Sequence, residues 1–348
     1  MLRRRTYSII SGAAAIALAG GLVSVAQAAP AAGQEPVLRV TVGSVQPQAV
    51  PAEGAAAAVP CQRGKAIYNR YQSCIVVGAT VNVLRNGRPV GSAHFDITHK
   101  MTLKQKSLKW SESIKVGKAR LVGNARGITV GLKVTCNSSK CKPTNKFPRG
   151  RKLGGSEISG KINYQDKVAK LKKDSASAKY IYTFTKPGYA PGGFNYRSVP
   201  FRCDDTFWNR DHSARNMRPG CVFHTYIPVM TTMRDLTNIA KNIRGVQSRG
   251  KHYGRIGSGK PLHREADERK IHNNREKVCP SGQTPPEPGL SCDEYPFAST
   301  REGGHNVSAD SRGTAWVPLQ EQRQQGGRIQ TFHKKERIVH RDAFWVSV

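Results

Sequence analysis

Carboxylates are scarce in this chain: 23 Asp and Glu stand against 56 Lys and Arg, and the formal net charge is +33. A chain with this balance repels cationic ligands and attracts acidic partners, whether nucleic acid, an anionic wall polymer or a membrane surface. Long apolar runs are also missing. After residue 28 no segment is long and apolar enough to span a bilayer, which excludes a bundle of membrane helices. The eight cysteines lack the CxxC and HxxxH-like spacings of a zinc site. A working nucleotide loop is absent too. Gly254, Gly259 and Lys260 trace the outline of one, but Pro261 stands where a Ser or Thr must hold magnesium, and no apolar strand precedes it. A flexible basic loop is the expectation there.

What is present begins with an export signal. Arg3, Arg4 and Arg5 precede an apolar stretch over residues 9–25, and Ala26-Gln27-Ala28 forms a small-x-small cleavage site. Residues 1–28 therefore read as a cleaved signal peptide, with an uncleaved anchor as the rival, and the mature protein is expected to be secreted and extracellular. The cysteines fall into local couples: Cys61 with Cys74, Cys136 with Cys141, Cys203 with Cys221, and Cys279 with Cys292. In an oxidising compartment these are expected to be disulfides, and short loop closure favours local pairing among the many connectivities open to eight cysteines.

Charge and pattern divide the remainder. Residues 29–60, rich in Ala, Pro, Gly and Gln, read as a flexible linker with one β-like island at residues 37–42. Residues 61–200 read as a basic, mostly-β domain, a sandwich or small barrel, in which Asn86-Gly87 supplies a tight hairpin. Residues 29–200 hold 29 Lys and Arg against 7 Asp and Glu, a net +22, so attraction of a polyanion is expected of this part. Beyond residue 200 the pattern turns α+β. Met233, Leu236, Ile239, Ala240 and Ile243 recur at helical spacing with Thr231 or Thr232 as cap, residues 262–277 form a second helix candidate, and residues 319–335 a third that contains Gly326-Gly327. Residues 343–346 suit a closing strand.

Sixteen of the 23 acidic residues follow residue 200, and three of them, Asp293, Glu294 and Glu302, fall in one short window. Phosphodiester hydrolysis needs an activated water and a cation to neutralise the phosphoryl oxygens. Carboxylates suit both tasks, and Mg2+ or Mn2+ suits carboxylate, amide and water ligands. Arg301, Arg312 and Arg323 are candidates to clamp phosphate. His305 is a second candidate base, while Tyr295 and Phe297 read as core.

The run Cys292-Asp293-Glu294-Tyr295-Pro296-Phe297-Ala298, then Glu302-Gly303-Gly304, Arg323-Gln324-Gln325-Gly326-Gly327 and Asp342-Ala343-Phe344-Trp345-Val346, resembles the NucA/NucB family of secreted bacterial deoxyribonucleases. Phe201-Arg202-Cys203-Asp204, Gly220-Cys221-Val222-Phe223 and Asn274-Arg275 extend the resemblance over residues 201–348. It implies a site like that of the ββα-metal nucleases, with an aspartate in place of the usual histidine base. Asp293 would then be the base or orient it, Glu294 and Glu302 would shape the site or bind metal, and Glu321, Gln322 and Asp293 would face the metal. Gln322 stands where the family usually has Asn, which places the amide oxygen one methylene further out. The expected function is a metal-dependent, largely sequence-nonspecific endonuclease acting on DNA. The alternative is a non-catalytic binder of DNA or an anionic cell-surface polymer that keeps a degraded nuclease site.

Overall fold

The computed structural model describes residues 35–51, 58–207 and 217–348. The expected signal peptide over residues 1–28 lies outside them. In chain order the first strands are β1 (Val37–Val42), β2 (Gln46–Ala49), β3 (Lys65–Tyr68), β4 (Gln72–Arg85), β5 (Arg88–Thr102), β6 (Lys109–Val116) and β7 (Arg120–Gly123). There follow β8 (Thr129–Cys136), β9 (Lys142–Asn145), β10 (Arg151–Lys152), β11 (Ile158–Gln165), β12 (Lys173–Ala176), β13 (Ala178–Lys186) and β14 (Tyr189–Arg197). The last part comprises β15 (Phe201–Asp204), β16 (Gly220–Val222), β17 (Val229–Met230), helix α1 (Thr237–Gln247), β18 (Leu262–His263), helix α2 (Glu268–Val278), β19 (Leu290–Tyr295), β20 (Gly313–Pro318), helix α3 (Leu319–Lys335) and β21 (Ala343–Val346). The described chain is thus mostly β, with helices confined to the last third.

One large sheet dominates, with the path β10-β8-β13-β14-β1-β4-β5-β6-β11-β9. It curls until its ends meet: the Asn145 amide on β9 donates to the Leu132 carbonyl on β8 at 2.7 Å. The β4–β5 hairpin turns on Asn86 and Gly87, both at positive φ (50° and 75°), as a tight two-residue turn requires. Strand alternation does the rest. On β4, Ile75, Val77, Ala79, Val81 and Val83 point inward, and Ile97, His99 and Met101 do so on β5. The β-like island at residues 37–42 is no part of a slack linker, because it pairs with β4 along its whole length and with β14 at its start. The interior is not wholly apolar. Glu112 accepts from Tyr164 and Tyr180 hydroxyls at 2.6 Å each and pairs with His99 Nδ1 at 2.9 Å, so its buried carboxylate is satisfied.

The first apolar core draws on residues from Leu38 to Tyr226, and a second runs from Met230 to Val346. The change of packing therefore falls near residue 228 and not at 200, because Phe201, Cys203, Cys221 and Phe223 fill the first core. All four local cysteine couples are disulfides. Two helix readings shift. The first helix starts at Thr237 with Leu236 as its cap residue, not at Thr231 or Thr232. The second starts only at Glu268, because Leu262 and His263 pair with β21 and Asp267 accepts from the Arg269 and Lys270 amides. Glu265 stands before the helix and takes the amides of Ala266 and Asp267.

Candidate functional site

Strands β19 and β20 form an antiparallel pair, with Asp293 opposite Ala315 and Glu294 opposite Thr314, and α3 follows β20 without a break. Consecutive side chains on a strand point to opposite faces. The acidic pair is therefore split. Asp293 faces α1 and α3: its Oδ2 accepts from the Asn242 amide and its Oδ1 from the Gln325 amide, each at 2.8 Å. Glu294 faces the other way, toward α2, where Arg275 Nη1 donates to it at 2.6 Å.

Burial governs both carboxyls. Asp293 has no solvent exposure, and desolvation pushes its carboxyl up to about 6 although the two amide donors and Arg275 oppose the shift. Desolvation likewise lifts Glu294 to about 7 against the pull of Arg275. A carboxylate poised there is a far better base near neutrality than one at its ordinary value. Glu294 lines a cleft of about 270 Å³ with Lys277, His305, Arg312 and Thr314, so this side of the hairpin is a basic recess with one acid in its wall.

The loop after β19 is locked from α2. Asn274 donates to the Ala298 and Thr300 carbonyls at 3.0 and 3.1 Å, and Arg275 reaches the Cys292 carbonyl at 2.9 Å. The two glycines that follow Glu302 are required by contact. A Cβ on Gly303 would lie 2.4 Å from the Phe297 carbonyl oxygen, and one on Gly304, at φ +67°, 2.9 Å from Asn274. The Cys279–Cys292 disulfide ties the end of α2 to the residue before Asp293. Tyr295 and Phe297 are core, packed edge to face at 5.2 Å.

The structure does not gather every expected residue. Glu302 lies away from Asp293, accepting from the backbone N of His263 and paired with its Nδ1, at 2.8 Å each. Glu321 accepts from the amides of Asn238 and Ile239 at 3.0 and 3.2 Å and from the Asn238 side chain at 2.8 Å, so it caps α1 rather than standing open to a cation. Arg301 and Arg323 are exposed, and Arg312 is partly buried, donating to the Val307 carbonyl at 2.5 Å. Gln322 is half-buried, and its Oε1 is buried with no donor. Asn242 and Gln325, which hold Asp293, were missed by the sequence reading. Gln325 lay inside the quoted motif and is three residues from Gln322, one helical turn away; nothing local marked Asn242.

This arrangement carries a buried carboxylate, hydrogen-bonded by two side-chain amides, between a strand pair and a helix, with a basic recess behind. Residues 247–347 match the family model of deoxyribonuclease NucA/NucB. The matched NucA/NucB segment contains Asp293, Glu294, Glu302 and all of α3, whereas Asn242 and the whole curled sheet lie before it. The same comparisons find no match among the curated proteins or the solved structures. The match supports deoxyribonuclease function, with DNA as the substrate.

Proposed function

We propose that the protein is a secreted, metal-dependent and largely sequence-nonspecific endonuclease that hydrolyses phosphodiester bonds of DNA. The observation that carries this reading is Asp293, held between the Asn242 and Gln325 amides at the junction of β19, β20 and α3, inside the NucA/NucB segment. Asp293 would take the proton of the attacking water. The strand pair followed by a helix supports the likeness to ββα-metal nucleases. Among the described residues no cluster of three or more His, Cys, Asp and Glu could cage a metal. Magnesium needs no such cage, since it keeps several waters and accepts one or two carboxylates together with substrate phosphate. The unpartnered Oε1 of Gln322 and the Asp293 carboxylate are hard oxygen donors of the right kind, and they would hold Mg2+ or Mn2+. Glu321 is left out of that set by its cap to α1. The ion would neutralise charge on the phosphoryl oxygens and acidify a bound water. Exposed Arg323 and Arg301 and half-buried Arg312 would bind phosphate. Four disulfides and the absence, among the described residues, of a helix able to cross a membrane support export.

A second reading, a non-catalytic polyanion binder, is favoured by one observation: both Asp293 oxygens are already hydrogen-bonded and shielded from solvent. Supercoiled plasmid separates the two. The protein is expected to nick it with Mg2+ or Mn2+, to stop in EDTA, and to lose nicking in Asp293→Ala. Binding without nicking in any divalent metal would sink the enzyme. Nicking by Asp293→Ala would move the site elsewhere.

A further inference from the structure

We propose that the outer face of β5, β6, β11 and β9 is a docking surface for double-stranded DNA, gripped through its phosphates. This deepens the reading of the chain as an enzyme acting on DNA and rests on it. Alternation sets the face: Trp110, Glu112 and Ile114 on β6 turn into the core and leave Lys109 and Lys115 outside. The ladder then aligns the lysines in rows. Lys100 on β5 sits opposite Ser113, which sits opposite Lys161 on β11. Lys109 sits opposite Gln165, which sits opposite Lys142 on β9. With strands about 4.8 Å apart and a rise of about 3.4 Å per residue, each row spaces two charges by about 10 Å, and the rows lie roughly 13 Å apart.

The rest of the face agrees with a phosphate ligand. Between the rows Ser111 faces Asn163, uncharged groups able to bond phosphate oxygens. Two acids lie on or beside this face and each is neutralised, Glu157 by Lys115 at 3.0 Å and Asp96 of β5 by Arg63 at 2.9 Å. Lys100, Lys109, Lys142 and Lys161 are exposed and make no ion pair among the described residues. No Phe, Tyr or Trp stands outward on these strands, so there is no platform on which unpaired bases could stack, and duplex is favoured over single strands. The face also leads toward the catalytic domain. Gln105, between exposed Lys104 and Lys106, donates to the Lys334 and Lys335 carbonyls at 2.6 and 3.2 Å, so positive charge continues onto the last turn of α3.

The test combines Lys100→Gln, Lys109→Gln, Lys142→Gln and Lys161→Gln in the full chain. Binding to a short labelled duplex is measured in EDTA across a salt series, beside a single strand of equal length. The wild type should prefer the duplex, and in the variant the slope of log affinity against log salt should shrink by about 3–4. An unchanged slope overturns the proposal, as does equal or tighter binding of the single strand. Tighter binding of the wild type to anionic phospholipid vesicles would assign the face to a membrane surface and overturn it too. Hydrolysis of bis(p-nitrophenyl) phosphate, a diester too small to span the rows, reads the catalytic site alone. Its absence in the wild type counts against the enzyme, while the EDTA binding series still decides the surface.

Discussion

Asp293 is held at odds with its surroundings: fully buried, flanked by neutral amides, and asked to carry a charge. Its folded pKa of about 6 lies above the ordinary carboxylate range, so the fold loses stability as pH rises from about 4 to 6 and the charge is forced into the interior. Asp293→Asn removes that burden. At about pH 8 it should raise stability by roughly 1–2 kcal/mol in urea unfolding while abolishing plasmid nicking. A variant both inactive and less stable would mean that the carboxylate is structural. His333 has the opposite sign. It is buried among Phe332 and Phe344, and burial, with Arg264 nearby, holds its pKa well below the usual imidazole value. Below about pH 6.5 the unfolded chain takes a proton that the folded chain refuses, so stability is full above that point and falls with acid by about 1.4 kcal/mol per pH unit. His333→Phe should flatten this slope between about pH 5 and 6.5; an unaltered slope would assign the acid loss to other groups.

At the scale of elements, α3 carries an unusual bare patch. Gly326 and Gly327 stand inside the helix, yet a Cβ on either would meet nothing within 4 Å. Packing of the protein does not require them. Gly326 follows Gln322 by four residues and so lies on the same side of the helix, which suits close passage of a phosphodiester chain. Gly326→Ala and Gly327→Ala should each stabilise the helix by up to about 1 kcal/mol and slow cleavage of long DNA. Stabilisation with full activity would leave the glycines unexplained. This is also where the limits of sequence reading lie. The Asn86-Gly87 hairpin, the third helix and the closing strand were legible because local chemistry decides them. Leu236 carries no capping side chain because Glu321 of α3 caps α1 from 83 residues away in sequence, and no local pattern encodes that. The Asp293-Glu294 pair stands out in the sequence, but the strand's two-residue period sends its members to opposite faces. Asn242 emerges only when α1 folds over β20.

The whole molecule is joined by ions buried between its two cores. Arg337, with no exposure, spends every guanidinium hydrogen: Nε and Nη2 reach the Asp204 carboxylate at 3.0 and 2.7 Å, and Nη1 reaches the Gln105 and Arg218 carbonyls at 2.8 and 2.9 Å. Nη2 also donates to the Asp204 carbonyl at 2.5 Å. Arg202 and Arg70 bind Asp342 and the Arg337 carbonyl from the curled-sheet side. Arg70, Tyr71 and Gln105 together take the carbonyls of residues 334–337, so the sheet domain caps the C-terminal end of the helix that bears Gln322 and Gln325. The N-terminal domain is thus a brace for α3 as well as a charged surface. Arg337 itself sits at φ 47°, the left-handed position after α3, with its amide bonded to Lys334 O and the Ile338 amide to His333 O. Glycine is the usual occupant of that position, and a side chain there costs about 1–2 kcal/mol. The two effects oppose each other in Arg337→Gly: the backbone gains that much, while the Asp204 carboxylate keeps only the contacts from Arg202 Nε at 3.2 Å and the Thr206 hydroxyl at 3.3 Å. Removing one member of a buried pair costs about 3–5 kcal/mol, so the variant should be less stable by roughly 2–3 kcal/mol in urea unfolding, and the end of α3 should exchange its amide hydrogens faster. A variant more stable than the wild type would show that the backbone outweighs the ion pair and that the two cores hold together without it.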